Sequence, residues 1–298
     1  MYALVTRAGD TAPVLVDVEP APLGPAEVRI RVAAATVNPV DLITAAGPGR
    51  QMFGLPDEVG LGWDLSGTVA EIGSGISDLR VGDRVAALDT ALAAPTRAHA
   101  TLVTLPADQV VRVPDGLDLH GAATIPLNAL AARQALDLFG PADGRSLLIT
   151  GAAGAVGGFA VALAARDGWQ VTGLVRTQED AEFVRGAGAQ RVRTDLPGPE
   201  YDAVLDAAGL QEKGIAFVRD GGTYVGAFSH FPVPSERGVE ATAVATQPDA
   251  DALVELLRLA ADGVLELRVA GTVPLADGAT AYDKVAAGGH RGRWLLVP

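Results

Sequence analysis

The densest chemical signal is the run SLLITGAAGAVGG at 146–158, where an apolar, strand-like segment enters a turn of small residues and then a helix. Ala152, Gly154 and Gly157 take up the spacing G/A-x-G-x-x-G. Each place needs a small side chain for its own reason: a tight turn, a close approach of backbone to a pyrophosphate, and close packing of the helix on its sheet. The start of the helix then offers unpaired N–H groups and the positive end of a dipole to phosphate. The same spacing also suits a purely structural turn, with Ala152 standing where a first glycine is usual. The strand before it and the helix after it favour a dinucleotide.

The next strand-like run, QVTGLV at 170–175, leads into Arg176 and Thr177. This is about 20 residues past the turn, where NAD-binding units commonly place an acidic side chain for the ribose 2′-hydroxyl. A guanidinium there suits the 2′-phosphate of NADPH, because its planar fork donates paired, charge-assisted hydrogen bonds. A solvated cation at a strand end is the alternative, and Asp195 is the acidic residue expected near the same pocket.

Other chemistries are missing. The chain has no cysteine, so neither a disulfide nor a thiolate metal site can form. His99, His120, His230 and His290 stand singly, without the short spacing that offers two ligands to one metal, and read as isolated surface or core imidazoles. A formal net charge of −13 argues against nucleic acid as a partner, since polyanion binding draws on clustered Lys and Arg.

These residues need a scaffold, and 298 residues suit two domains better than one core. Up to about 113 the chain is β-like and punctuated by Pro and Gly, with strands expected at 26–33 and 68–72. From 119 the apolar spacing turns helical through Ala122, Ile125, Ala129, Ala132 and Leu136. Strands at 146–150, 170–175, 203–206 and 223–227 then alternate with helices over 157–167 and 179–186, the rhythm of a doubly wound parallel sheet. A further helix over 249–262 has an acidic first turn and stops before Gly263, after which β-like runs return. The expected organisation is a β-rich domain at 1–118, an α/β domain at 119–241 and a return segment of the first domain at 242–298. No window approaches the roughly 18 apolar residues of a membrane span. MYALVTRAGD lacks the pattern of a secretory signal, so the expected location is cytoplasmic, with no membrane partner.

Taken in order, VNPVD at 37–41, GLGWDLSGTVAEIG at 60–73, VGDRV at 81–85, GAAGAVG at 151–157, YDAVLDAAG at 201–209, GGTYVGAF at 221–228 and GHRGRWLLV at 289–297 form a specific set. This set resembles the medium-chain dehydrogenase/reductases of the quinone oxidoreductase branch over nearly the whole chain. The resemblance implies a Rossmann doubly wound parallel sheet inserted in a GroES-like, β-rich catalytic domain. Zinc-dependent alcohol dehydrogenases of that superfamily carry cysteine ligands that this chain lacks. The resemblance therefore implies zinc-independent hydride transfer from NADPH to a conjugated acceptor, a quinone or an α,β-unsaturated carbonyl. An enoyl-thioester reductase and an NADPH-binding protein without turnover are the alternatives.

Carried over residue by residue, the resemblance puts Asn38 at the nicotinamide or the substrate as the catalytic candidate, with Asp41 holding its loop. It puts Gly154, Ala155, Val156 and Gly157 at the pyrophosphate, Arg176 and Thr177 at the 2′-phosphate, and Gly209 near the ribose. Phe228 and Ser229 border the nicotinamide ribose, and Arg293 replaces the lysine of a terminal glycine-lysine pair. A homodimer joined within 241–246 is also implied. Two departures stand out: the loop at 41–56 lacks a tyrosine often found there, and 86–98 is short and bland.

Overall fold

The structure is a computed structural model that describes residues 1–45, 47–228 and 233–298, leaving the side chains of 47 and 48 aside. The chain divides into two compact units: Met1–Leu127, Gln247–Ala261 and Leu267–Pro298 form one, and Asn128–Thr246 with Asp262–Glu266 form the other.

The first unit opens with β1 (Tyr2–Arg7), β2 (Val14–Asp17), β3 (Glu27–Val37), α1 (Pro39–Ala45), α2 (Gly47–Phe53) and β4 (Glu58–Gly60). It continues with β5 (Asp64–Ile72), β6 (Arg84–Leu88), β7 (Leu102–Pro106), β8 (Val110–Arg112) and α3 (Leu119–Ala122). Helix α4 (Pro126–Asp137) leads into the second unit, which holds β9 (Ser146–Thr150), α5 (Ala155–Arg166), β10 (Gln170–Leu174), α6 (Ala181–Gly186) and β11 (Arg191–Arg193). There follow β12 (Tyr201–Asp206), α7 (Glu212–Ile215), β13 (Val218–Gly226) and β14 (Glu240–Ala243). The chain then returns to the first unit as α8 (Ala250–Ala261), β15 (Val269–Pro274), α9 (Gly278–Ala287) and β16 (Arg293–Val297).

In the first unit the main sheet runs β15-β16-β3-β5-β6-β8, with β7 also on β3, and a smaller sheet runs β2-β1-β4. Strand β3 organises it, because Val28, Ile30 and Val32 alternate along the strand and meet Leu65, Val85 and Val103 in one apolar cluster. β16, from the far end of the chain, pairs antiparallel with β3, so the return segment closes this unit.

The second unit is a parallel sheet in the order β11-β10-β9-β12-β13-β14. Numbered along the chain this is 3-2-1-4-5-6, the Rossmann order, with the direction of winding reversing between β9 and β12. Helix α5 is buried nearly all round, from Gly157 to Ala164, which fits its almost uninterrupted run of small and apolar residues.

The expected boundaries at 118/119 and 241/242 stand at 127/128 and 246/247 when the chain is divided by its contacts. At the first boundary, the side chain of Asp118 caps α3 by accepting from Gly121 N at 3.0 Å, and Leu127 N donates to Asp64 at 3.3 Å. Residues 119–127 are thus tied to β5. At the second, β14 continues the sheet and Val244 N donates to Gly226 O at 2.9 Å. Among the described residues no helix is long and apolar enough to cross a membrane.

Candidate functional site

In the second unit, β9 ends at Thr150 and the chain turns at Gly151, whose φ of +58° is cheap only for glycine. The Gly151 carbonyl accepts from Gly154 N at 2.7 Å, and Ala152, fully buried, donates its N–H to Leu174 O at 3.2 Å. A Cβ on Gly157 would lie 2.8 Å from the Gly151 carbonyl carbon and nearer still to its oxygen; one on Gly154 would lie 3.0 Å from that oxygen. A Cβ at 157 would therefore force the turn apart, while one at 154 would only press on the same carbonyl oxygen. Gly154 is the N-cap of α5 and brings no capping side chain, so the first-turn amides of Ala155, Val156 and Gly157 stand where a helix offers donors to an anion.

Beyond the end of β10, Arg176 and Thr177 are exposed, and the Thr177 hydroxyl donates to Asp180 at 3.1 Å. Among the described residues Arg176 makes no ion pair. Asp195 is drawn away by Arg193, whose guanidinium holds it at 2.6 Å and also binds Glu200 at 2.6 Å. Hydrogen bonding to that guanidinium holds the Asp195 carboxyl below its usual range. Further round the same sheet, Gly209 has φ +70° and lies against Phe228; a Cβ on it would come within 3.0 Å of the Phe228 ring. Ser229 lies outside the described residues.

The first unit carries a buried polar cluster at the corner where β3 runs into α1. Pro39 opens α1, and the Asp41 carboxylate accepts from Asn38 N at 2.8 Å, half of a capping box. The Asn38 side chain turns inward, only 1% exposed, and donates its amide hydrogens to Thr36 Oγ1 and Asp64 Oδ1, each at 2.9 Å. Thr36 itself donates to Asp64. Asn38, expected at the nicotinamide or the substrate, here gives both amide hydrogens to Thr36 and Asp64. Asp41 holds the corner, as the capping role implies. Arg293 opens β16, and burial holds its guanidinium down to about 10 against the opposing pull of Asp64 and Asp41.

His99 is fully buried, with Nε2 at 2.8 Å from Thr36 O and Nδ1 at 3.0 Å from Tyr282 Oη. The carbonyl can only accept, so Nε2 carries the proton and Nδ1 accepts from the tyrosine. It is a satisfied core imidazole. The bland segment at 86–98 contains a buried pair, Asp89 and Arg97, with the guanidinium 4.8 Å from the Trp63 ring centre. Among the described residues no three His, Asp or Glu side chains are grouped to hold a metal.

Burial pushes Asp41 and Asp64 up to about 7 from 3.8, against the hydrogen bonds that favour their charged forms. The folded chain therefore keeps protons that the unfolded chain releases above about 4, and the pair's contribution to stability falls as pH rises toward 7 and is level beyond it. His99 has the opposite sign: burial holds it down to about 4, so its contribution rises between there and 6.5. The Asp64→Asn variant removes one titrating group without removing the shape. Its thermal midpoint relative to wild type is expected to improve as pH is raised from about 5 to about 8. A difference independent of pH would contradict a shared, raised titration.

The residues singled out from sequence thus fall into two groups. Ala152, Gly154, Ala155, Val156, Gly157, Arg176, Thr177, Gly209 and Phe228 lie in the second unit, and Asn38 and Arg293 lie around Asp64 and Asp41 in the first. Sequence reasoning missed Gly151, although the glycine that opens GAAGAVG is a signal in itself. It also missed Asp64 and Asp206, whose signal is a carboxylate at the first or last position of an apolar β-run. No local signal marks Tyr282, which reaches His99 from 183 positions away.

Comparison with known proteins adds independent observations. A family model described as the alcohol dehydrogenase GroES-like domain matches residues 24–115, and one described as zinc-binding dehydrogenase matches 176–296. A quinone oxidoreductase of Pseudomonas aeruginosa is 37% identical over 179 residues, covering 58% of this chain and 51% of that protein. A mycocerosic acid synthase-like polyketide synthase of Mycobacterium tuberculosis is 29% identical over 307 residues, covering 92% of this chain but 14% of the synthase. The chain therefore spans about half the length of one curated relative and a small part of the other. Among solved structures, the quinone oxidoreductase of Coxiella burnetii superposes with a TM-score of 0.89 at 25% identity, covering 100% of this chain and 99% of that one.

Proposed function

We propose, from the premise that the chain belongs to the medium-chain dehydrogenase/reductases and is quinone oxidoreductase-like, that this oxidoreductase uses NADPH to reduce a quinone or an α,β-unsaturated carbonyl without zinc. The observation that carries the reading is the glycine turn at the head of α5 together with an exposed Arg176, without an ion pair among the described residues, beyond the end of the neighbouring strand. The turn closes on α5 only with glycine at 157, and the cation stands where an acidic residue would select NADH. When bound, the cofactor supplies hydride from the fourth carbon of its nicotinamide.

The chain's own part is to bind and orient. Ala155, Val156 and Gly157 offer amides to the pyrophosphate, and Arg176 and Thr177 meet the 2′-phosphate. Gly209 and Phe228, with Ser229 carried over from the family motif, border the riboses. Arg293 serves as the terminal cation. Asn38 acts through position, holding Thr36 and Asp64 at the β3–α1 corner, because its amide hydrogens are committed there. The chain has no cysteine to supply a zinc thiolate, and a conjugated acceptor can take hydride without a metal on its carbonyl oxygen.

The test is NADPH consumption over a panel of quinones, enones and enoyl thioesters. Turnover of quinones or enones supports the proposal. Turnover confined to enoyl thioesters favours the second reading, an enoyl-thioester reductase, which the match to a 14% share of the polyketide synthase fits in part. Binding without consumption would leave an NADPH-binding protein.

The same reading includes a homodimer. Strand β14 ends the sheet and, among the described residues, pairs only with β13, leaving a row of backbone donors and acceptors as a template for a second copy. Light scattering at micromolar concentration is expected to give twice the chain mass, and a monomer would count against this assembly.

A further inference from the structure

Asp206 closes β12 with a carboxyl group that is 1% exposed and fully engaged. Oδ1 accepts from the Thr150 hydroxyl at 2.5 Å, and Oδ2 accepts from the Tyr224 hydroxyl at 2.8 Å and from Gln211 N at 2.7 Å. Burial, together with the neighbouring Asp206, pushes the Tyr224 phenol well up, so it stays a donor. Thr150 in turn accepts from Ala208 N at 3.0 Å. A buried carboxyl group is costly, and an apolar side chain could pack three strand ends together at least as well. A carboxyl group at this place, with three donors aimed at it, fits the placement of something specific.

The location says what is placed. Asp206 and Thr150 are register partners at the ends of β12 and β9, so their hydrogen bond spans the point where the winding reverses. Ligands of open parallel sheets lie outside the carboxyl ends of the strands at that point. Just beyond, residues 207–211 are bound back to the hub at both Ala208 and Gln211. Gln211 is held at φ +54°, ψ −118°, a conformation that is strained for a non-glycine residue and persists only where the surroundings enforce it. The same segment touches both flanks of the cofactor cradle. A Cβ on Gly151 would lie 3.2 Å from the Ala208 Cβ, and Gly209 rests against Phe228.

We infer that Asp206 is a positioning residue for the dinucleotide. Through Thr150, Tyr224 and Gln211 N it holds the 208–211 backbone beside the glycine turn, so that this segment forms the wall of the site facing the ribose and pyrophosphate. The inference rests on the proposed cofactor binding, and it concerns the part of the ligand that NADPH and NADH share. Loss of the hub therefore weakens both cofactors equally, unlike loss of Arg176.

The experiment measures dissociation constants for NADPH and NADH by fluorescence, and amide hydrogen exchange of 208–211 without cofactor, in wild type, Asp206→Ala, Asp206→Asn and Tyr224→Phe. Asp206→Ala is expected to unprotect the Gln211 amide and weaken both dinucleotides about 10-fold. Asp206→Asn can still accept from Tyr224 and Gln211 while donating to Thr150, and should return to within about 3-fold of wild type. If Asp206→Ala does not fold, Tyr224→Phe carries the test, with a loss of about 3-fold for both ligands. Exposed amides with unchanged dissociation constants would overturn the proposal alone. A wild-type protein that binds neither dinucleotide would remove the cofactor reading and this proposal together.

Discussion

Replacing Gly157 by alanine is expected to weaken NADPH and NADH alike by roughly 100-fold while the first unit keeps its fold. The added Cβ would sit 2.8 Å from the Gly151 carbonyl carbon and 3.0 Å from Ala152 Cα, both backbone atoms that cannot rotate aside. Either α5 lifts from the turn or the turn opens, and overpacking of this kind costs about 1–3 kcal/mol. The same movement displaces the Ala155, Val156 and Gly157 amides together, so the loss in binding reaches the top of that range or beyond. Fluorescence titration reads the affinity, and circular dichroism verifies that the protein is folded. Wild-type affinity in a folded Gly157→Ala protein would place the pyrophosphate elsewhere.

Arg176→Ala is expected to weaken NADPH about 10- to 100-fold and to leave NADH nearly unchanged. A charge-assisted hydrogen bond contributes about 1.5–3 kcal/mol, and a 2′-phosphate takes up such bonds where a 2′-hydroxyl does not. The prediction is sharp because Arg176 is exposed and not spent on a neighbour, while Arg193, beside it on β11, is already held by Asp195 and Glu200. Equal losses for both cofactors would mean that Arg176 supports the sheet end rather than the phosphate. Together with the Asp206 variants, these measurements separate three contributions: pyrophosphate, 2′-phosphate and the wall beside the ribose.

The two units differ in how far their chemistry could be read from the chain. In the second, strand, turn and helix are contiguous: SLLIT supplies the apolar run, GAAGAVG the small residues and the following run of alanines and valines the buried helix. Hydrophobic period and side-chain size act within a few residues, so β9, α5 and β10 were readable to within a residue or two. Arg176 was readable for the same reason, as the first charge after an apolar strand.

Partners far apart in sequence were not readable. The bond from the Asn38 amide to Asp64, 26 positions on, forms across the β3–β5 pairing and has no trace in the residues around Asn38. Thr150 and Asp206 meet over 56 positions, and His99 and Tyr282 over 183. Residues 119–127 have a helical pattern like the segment that follows, but Asp64 and Ser66 on β5 tie them to the β-rich unit. The residues alone were enough to read β9, α5, β10 and α6, the lack of any thiolate metal ligand, and the small-residue turn at 151–157. Which buried carboxylate meets which donor is settled by the folded chain. That choice depends on strand register and on the closure of long loops, and neither leaves a periodic trace in the residues that are brought together.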